Sequence, residues 1–234
     1  MRHKILLLQG KMVQRYHDSL TGRAERVILR LLCARIPSWI TSNHLTALGL
    51  FGAVLICLGY WLAGFRMAFY ALALFGMLLN WLGDSLDGSL ARYRGAERPQ
   101  FGFFLDHSVD GFAMALVAGG VGLSPMAHFW CALLALASYY IVVILSLTTC
   151  LATGVFKVSF GGIGPTEVRL GIIGCTLCAI VLPVFRFNIA GLSLTVYDVI
   201  LVLLSAGLVI TAIIHTMDTA RQLALIDPPR HPRR

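Results

Sequence analysis

The chain has 234 residues, of which 58% are hydrophobic and only 13% charged, with a formal net charge of +8. Soluble domains are about 45–50% apolar and about 25% charged, so this composition excludes a soluble globular domain and describes an integral membrane protein. Membrane topology and attraction to anionic headgroups account for the positive charge, and no nucleic-acid partner is required.

The opening MRHKILLLQG holds an apolar run of only four residues, too short for the core of a secretory signal. Across 23–35, Ala24, Val27, Ile28, Leu31 and Leu32 recur at i, i+3, i+4, i+7 and i+8, while Arg23, Arg26 and Arg30 take another face. That pattern predicts an amphipathic helix lying on the membrane surface, with anchoring as its role. Pro37 breaks it, which makes 1–40 an N-terminal segment ahead of the first span.

Apolar stretches long enough to cross a bilayer, about 20 residues each, fall near 44–65, 67–90, 104–124, 127–152, 169–185 and 196–217. Strand-like alternation is absent, which argues against a β-barrel. The expected fold is all-α and polytopic: six transmembrane helices over 41–220, preceded by the surface helix and followed by a basic tail, 221–234. The tail's DPPRHPRR reads as disordered. All but two of the 19 Lys and Arg residues, Arg66 and Arg186, fall on one side of this arrangement. Lys/Arg excess marks the cytoplasmic face, so both termini are expected in the cytoplasm, as in a cell (inner) membrane. The six cysteines lie mostly within apolar spans, without zinc spacing. Cys175 and Cys178 included, they read as small buried hydrophobes.

The second and third spans carry the anomaly. Residues 84–110 read DSLDGSLARYRGAERPQFGFFLDHSVD and hold four aspartates, in a chain with only eleven acidic residues. A carboxylate at the centre of a membrane helix costs about 2.5–3.5 kcal/mol on insertion scales and marks a functional site by default. Asp84, Asp87, Gly88, Ala91 and Arg92 form one helical stripe, and Gly102, Asp106 and Asp110 another. A short connection makes the two spans antiparallel neighbours whose stripes face each other, in a polar notch open to the cytoplasm. Carboxylate oxygens hold hard divalent ions. Gly88, Gly102 and Ala91 either give a ligand room or allow close helix packing. Arg92, with Arg94 and Arg98 nearby, either forks onto phosphate or caps the cytoplasmic face. Together these side chains suit a diphosphate ligand with divalent metal.

The pattern D-x2-D-G-x2-A-R-x9-G-x3-D-x3-D, Asp84 to Asp110 here, resembles the signature of the CDP-alcohol phosphatidyltransferase (phosphotransferase) family, with every fixed position filled. The preceding TSNHLTALGL resembles the start of the family's first span, although Ser42 stands where proline is common. The resemblance implies a metal-dependent transferase of phospholipid biosynthesis. Such an enzyme moves a phosphoryl-linked group from a CDP-activated donor to an alcohol or lipid acceptor and releases CMP. It implies one or two Mg or Mn ions on Asp84, Asp87, Asp106 and Asp110, and a cytidine diphosphate pocket lined by Gly88, Ala91, Arg92 and Gly102, with Asn43 and Thr46 adding contacts. Asp110 is the family's usual proton acceptor, and members commonly form homodimers.

Within the family, LDHSVDG lacks the proline and lysine of the LDPxADK run of phosphatidylglycerophosphate synthases. Asp106-His107 is similar to the FDHGCD run of choline and ethanolamine phosphotransferases, where the histidine is a proposed base, but Phe103 stands where those enzymes carry an acid. His107 is three residues before Asp110 and close to it on a helix, so either is a candidate base. In GGIGPTEVRL, Gly161, Gly162, Gly164 and Pro165 break the helix. Lys157 and Arg169 then either bind a phosphorylated acceptor, or Glu167 meets an ammonium, or all three cap a solvated turn. The balance leans to an aminoalcohol-type pair. The alternative is transfer from CDP-diacylglycerol to glycerol phosphate, inositol phosphate or serine. A metal-ion transporter is a reading of another class, opposed by the clustering of the aspartates towards one face.

Overall fold

The computed structural model describes residues 3–8, 11–16, 22–157, 165–189 and 191–227. Among them run seven α-helices: α1 (Gly22–Cys33), α2 (Ser42–Ala63), α3 (Tyr70–Tyr93), α4 (Pro99–Leu123), α5 (Phe129–Thr153), α6 (Pro165–Val181) and α7 (Val196–Ile226). Gly161, Gly162, Gly164 and the tail from 228 onward lie outside the described residues.

Five helices, α2 to α5 and α7, are long and apolar enough to cross a membrane, where six were expected. The sixth element forms as α6, but its 17 residues span only about 26 Å at 1.5 Å per residue, against a hydrocarbon core of about 30 Å. It begins and ends ahead of the expected 169–185. Pro165 opens it and Glu167 occupies its first turn, both favoured at a helix start. Pro183 denies Leu182 the helical conformation at the other end. The chain is a multi-pass, all-α membrane protein whose short strands lie outside the spans. These are β1 (His3–Leu8), β2 (Lys11–Tyr16), β3 (Val155–Lys157), β4 (Arg186–Ile189) and β5 (Leu192–Thr195). β1 and β2 form a hairpin whose second strand pairs in parallel with β3, Gln14 opposite Val155.

Helix α2 is the axis of the bundle. It meets α3 along a glycine seam. A Cβ added to Gly52 would stand 2.5 Å from the Asn80 nitrogen, and one on Gly76 would stand 2.7 Å from the Gly52 oxygen. With no side chains between them, the two backbones reach van der Waals contact, which is how membrane helices associate without a hydrophobic driving force. Below the seam, Ile56, Tyr60, Ala63, Tyr70, Ala73 and Met77 form the main buried cluster. The Tyr60 hydroxyl and Thr176 Oγ1, both fully buried, lie 2.6 Å apart and join α2 to α6.

The expected pairing of α3 with α4 takes a different form. Both helices pack on α2, yet they scarcely touch each other. Facing stripes of carboxylate offer no apolar seam, whereas α2 offers glycines and small residues to each. The two stripes thus stand apart as walls.

On α1, Leu29 and Cys33 are buried with Leu45, Leu86 and Leu90, while Val27, Ile28 and Leu31 remain exposed. Three residues of the apolar stripe read from the sequence are therefore turned outward, while its Leu32 packs partly on the bundle. The side chains of Arg23, Ala24 and Arg26 lie outside the described residues. Burial pushes the Cys33 thiol up, against the opposing pull of Arg92 and Arg94, so it serves as an apolar plug.

At the opposite end of the bundle, Asp198 Oδ2 accepts from the Thr195 amide at 2.8 Å, and the Asp198 amide donates to Thr195 Oγ1 at 3.1 Å. This reciprocal cap also receives the His128 amide at 2.6 Å and its Nδ1 at 2.7 Å. One buried carboxylate thus closes the N-termini of both α5 and α7.

Candidate active site

The α3–α4 turn is built from its sequence. Gly95 adopts φ +62°, a left-handed conformation that glycine takes without strain. The Ala96 amide donates to the Ala91 carbonyl at 3.0 Å and the Gly95 amide to Arg92 at 3.2 Å, the paired bonds of a Schellman cap. Pro99 then opens α4. The acidic stripes of the two helices consequently end at the same face of the bundle.

Between these walls, with α2 behind them, lies a cavity of about 380 Å³. Nine residues singled out from the sequence line it: Asn43, Thr46, Asp87, Gly88, Ala91, Arg92, Gly102, Asp106 and His107. Asp87 is 4% exposed. Its Oδ2 accepts from Thr46 Oγ1 at 2.7 Å and its Oδ1 from the Gly88 amide at 2.5 Å. It lies in the fields of both Asp106 and Asp84. Ser42 Oγ donates to the Asp87 carbonyl at 2.8 Å, a tie between α2 and α3 that proline at this position would lack. A Cβ on Gly102 would meet nothing within 4 Å, so that wall is open, whereas one on Gly88 would stand 3.3 Å from the Arg92 guanidinium.

The basic rim divides into different tasks. Arg94, grouped with Arg92 by sequence, is taken up by backbone: it donates to the carbonyls of Ile36, Pro37 and Ile40 at 3.1, 2.9 and 2.5 Å. Arg98 lies 4.0 Å above the Phe101 ring and donates to Asn43 Oδ1 at 3.3 Å, which places it across the cavity mouth. Arg92 donates to Ser89 Oγ at 3.2 Å and keeps its planar fork within the cavity lining.

Three of the other expected residues, Asp84, Asp110 and Arg169, come together around Tyr139. Arg169 of α6 donates to Asp84 Oδ2 at 2.5 Å. Tyr139 of α5 lies in the fields of Asp110, Arg169 and Asp84. The neighbouring Tyr140 hydroxyl donates to the Gly111 carbonyl at 2.8 Å, fixing α5 beside Asp110. Glu167 lies in the first turn of α6. Lys157 ends β3, but its side chain lies outside the described residues. Ser42 and Tyr139 were not singled out as site residues. Ser42 carried only the signal of a missing proline, and Tyr139, inside an apolar run, carried none.

His107 Nδ1 lies 2.8 Å from the Phe103 carbonyl, and the imidazole lies against the Phe103 ring at 4.2 Å. A carbonyl only accepts, so in the neutral ring Nδ1 bears the hydrogen and Nε2 the lone pair. As to a cation, the four aspartates and their hard oxygens fit Mg or Mn in kind. Among the described residues, however, no three His, Cys, Asp or Glu side chains are close enough to share one ion. The separation of α3 from α4 and the turn of Asp84 onto Arg169 account for that spacing.

The model of the CDP-alcohol phosphatidyltransferase family matches residues 36–217 of this sequence. The chain belongs to that family. No curated protein matches it. Among solved structures, it is similar to the crystal structure of Mycobacterium tuberculosis phosphatidylinositol phosphate synthase (PgsA1) with CDP-DAG bound. The TM-score is 0.57 at 21% identity, over 84% of this chain and 94% of that one. As a family member the chain is a transferase of phospholipid metabolism, acting with a CDP-activated donor. The matched residues take in α2 through most of α7 and exclude α1.

Proposed function

We propose that this protein transfers a phosphatidyl group from CDP-diacylglycerol to a polar alcohol at the cytoplasmic membrane face, releasing CMP. The observation that carries the reading is the cavity itself. Motif residues from two separated helices, Asp87, Gly88, Ala91 and Arg92 with Gly102 and Asp106, line one pocket together with Asn43 and Thr46. The aminoalcohol-type pair favoured by Asp106-His107 gives way to the CDP-diacylglycerol donor, because a solved structure similar in fold is a phosphatidylinositol phosphate synthase with CDP-DAG bound.

In this reading the nucleotide lies on the α2 side. Asn43 and Arg98 meet it at the mouth, Gly102 leaves it room, and Arg92 forks onto a phosphate oxygen. Asp84, Asp87, Asp106 and Asp110 would hold Mg or Mn, which when bound neutralises pyrophosphate oxygens. Thr46 and the Gly88 amide fix the Asp87 carboxylate, so that part of the site is ordered in advance. The acceptor arrives on the other side, beside Asp110, Tyr139 and Arg169, with Glu167 and Lys157 nearby in sequence. Its hydroxyl oxygen attacks the phosphatidyl phosphorus and the bond from that phosphorus to the CMP oxygen breaks. The hydroxyl proton passes to Asp110. His107 lines the nucleotide side and acts there, orienting the donor through Nε2.

The test is to supply purified protein with Mg or Mn, CDP-diacylglycerol or CDP-aminoalcohols, and a panel of alcohols and alcohol phosphates. CMP is followed and the lipid weighed by mass spectrometry. A phosphatidyl product made only from CDP-diacylglycerol is expected. A product made only from a CDP-aminoalcohol and diacylglycerol would reverse the donor assignment.

A further inference from the structure

Arg169 joins α6 to the acidic motif through Asp84, and its position is fixed. Thr176 is two helical turns further along α6, on the same face, and is held to Tyr60 in the buried 2.6 Å contact. The guanidinium therefore comes from an anchored helix face. It meets Asp84 Oδ2 at 2.5 Å, with both side chains half-buried. It also contributes, with Asp84 and Asp110, to the field at the Tyr139 phenol, so its charge is near both carboxylates assigned to the cation and the side assigned to the acceptor.

We propose that Arg169 is a positioning residue that competes internally with the divalent ion for Asp84, and so couples cation loading to capture of an anionic acceptor. This inference rests on the cation site proposed above. One carboxylate oxygen cannot serve a guanidinium and a divalent ion at full strength, because the two cations repel across it. When the ion takes Asp84, the guanidinium is released towards Asp110 and Tyr139, where an acceptor carrying negative charge finds it. By linkage, whatever draws Arg169 off Asp84 tightens the cation, and the cation tightens whatever Arg169 then binds.

The experiment titrates Mn into full-length protein in detergent micelles by calorimetry, for wild type, Arg169→Gln, Arg169→Lys and the double variant Asp84→Asn/Arg169→Gln. The expected result is tighter Mn binding in Arg169→Gln by at least about fivefold, the lower end of site-to-site couplings. Arg169→Lys, which keeps the charge without the planar fork, should tighten by a smaller factor, and removal of Asp84 should abolish the gain. A merely structural arginine would weaken the ion when removed, so tightening separates the two roles. Mn affinity unmoved or weakened in Arg169→Gln overturns the coupling while the cation site stands. If Arg169→Gln does not elute as one folded species, Arg169→Lys decides: unmoved or weakened binding there overturns the coupling equally. Wild type that takes up no Mn removes the cation site and the coupling with it.

Discussion

Thr46 Oγ1 donates to Asp87 Oδ2 at 2.7 Å across the α2–α3 seam, so the second aspartate of the motif is held by a helix outside the motif. Hydrogen bonds to charged groups are worth about 1.5–3 kcal/mol. Thr46→Val should lower stability by an amount in that range and slow CMP release, while Thr46→Ser should restore most of both. Thermal unfolding in detergent and a CMP assay measure the two effects. An unchanged melting temperature and rate for Thr46→Val would show that the Gly88 amide alone suffices to hold Asp87.

Asp84→Asn, Asp87→Asn and Asp106→Asn should each abolish CMP release without preventing membrane insertion, since an amide keeps the volume of the carboxylate and loses its charge. Extraction from membranes and size-exclusion profiles report insertion. Near-normal turnover in any one of the three would remove that residue from the cation site.

His107 is in the cavity lining, whereas Asp110, one helical turn further on, lies in reach of the Tyr139 phenol. Asp110→Asn should therefore eliminate turnover. His107→Ala should raise the KM for the donor and leave the shape of the pH–rate profile unchanged. Loss of the acidic limb in His107→Ala would transfer the role of base to the imidazole.

The glycine seam predicts a packing failure. A Cβ on Gly76 meets the Gly52 oxygen and the Ile56 nitrogen, each at 2.7 Å. These are backbone atoms, which cannot rotate aside. Gly76→Ala should cost about 1–3 kcal/mol, as overpacking does, and reduce activity by moving α3 relative to Thr46. Gly102→Ala, which meets no neighbour within 4 Å, should leave stability intact and weaken only donor binding. Equal melting temperatures for Gly76→Ala and wild type would show that the seam yields.

Helix identity was legible where apolar length sets it. α2 to α5 formed over the expected spans because a membrane segment has only one way to satisfy its backbone. Ends were less legible. α7 continues to Ile226, beyond the apolar limit at 217, since HTMDTARQLALI has no helix breaker. Hydropathy marks where the lipid stops, not where the helix stops. The motif residues and their two stripes could be read from spacing alone. The separation of α3 from α4 could not, because it depends on α2 receiving both helices. The fate of Arg94 was equally hidden. Nothing in its sequence neighbourhood distinguishes an arginine facing a ligand from one facing the carbonyls of residues 36–40.

That clamp on residues 36–40 has a mechanical consequence. The guanidinium of Arg94 grips the strip of chain joining α1 to α2, and it grows from the same turn that carries Arg92 and Arg98. A sideways push on α1, such as crowding among neighbouring headgroups would exert, finds no slack linker to absorb it. Such a push would be passed through Arg94 to the turn that carries Arg92 and Arg98 at the rim of the cavity.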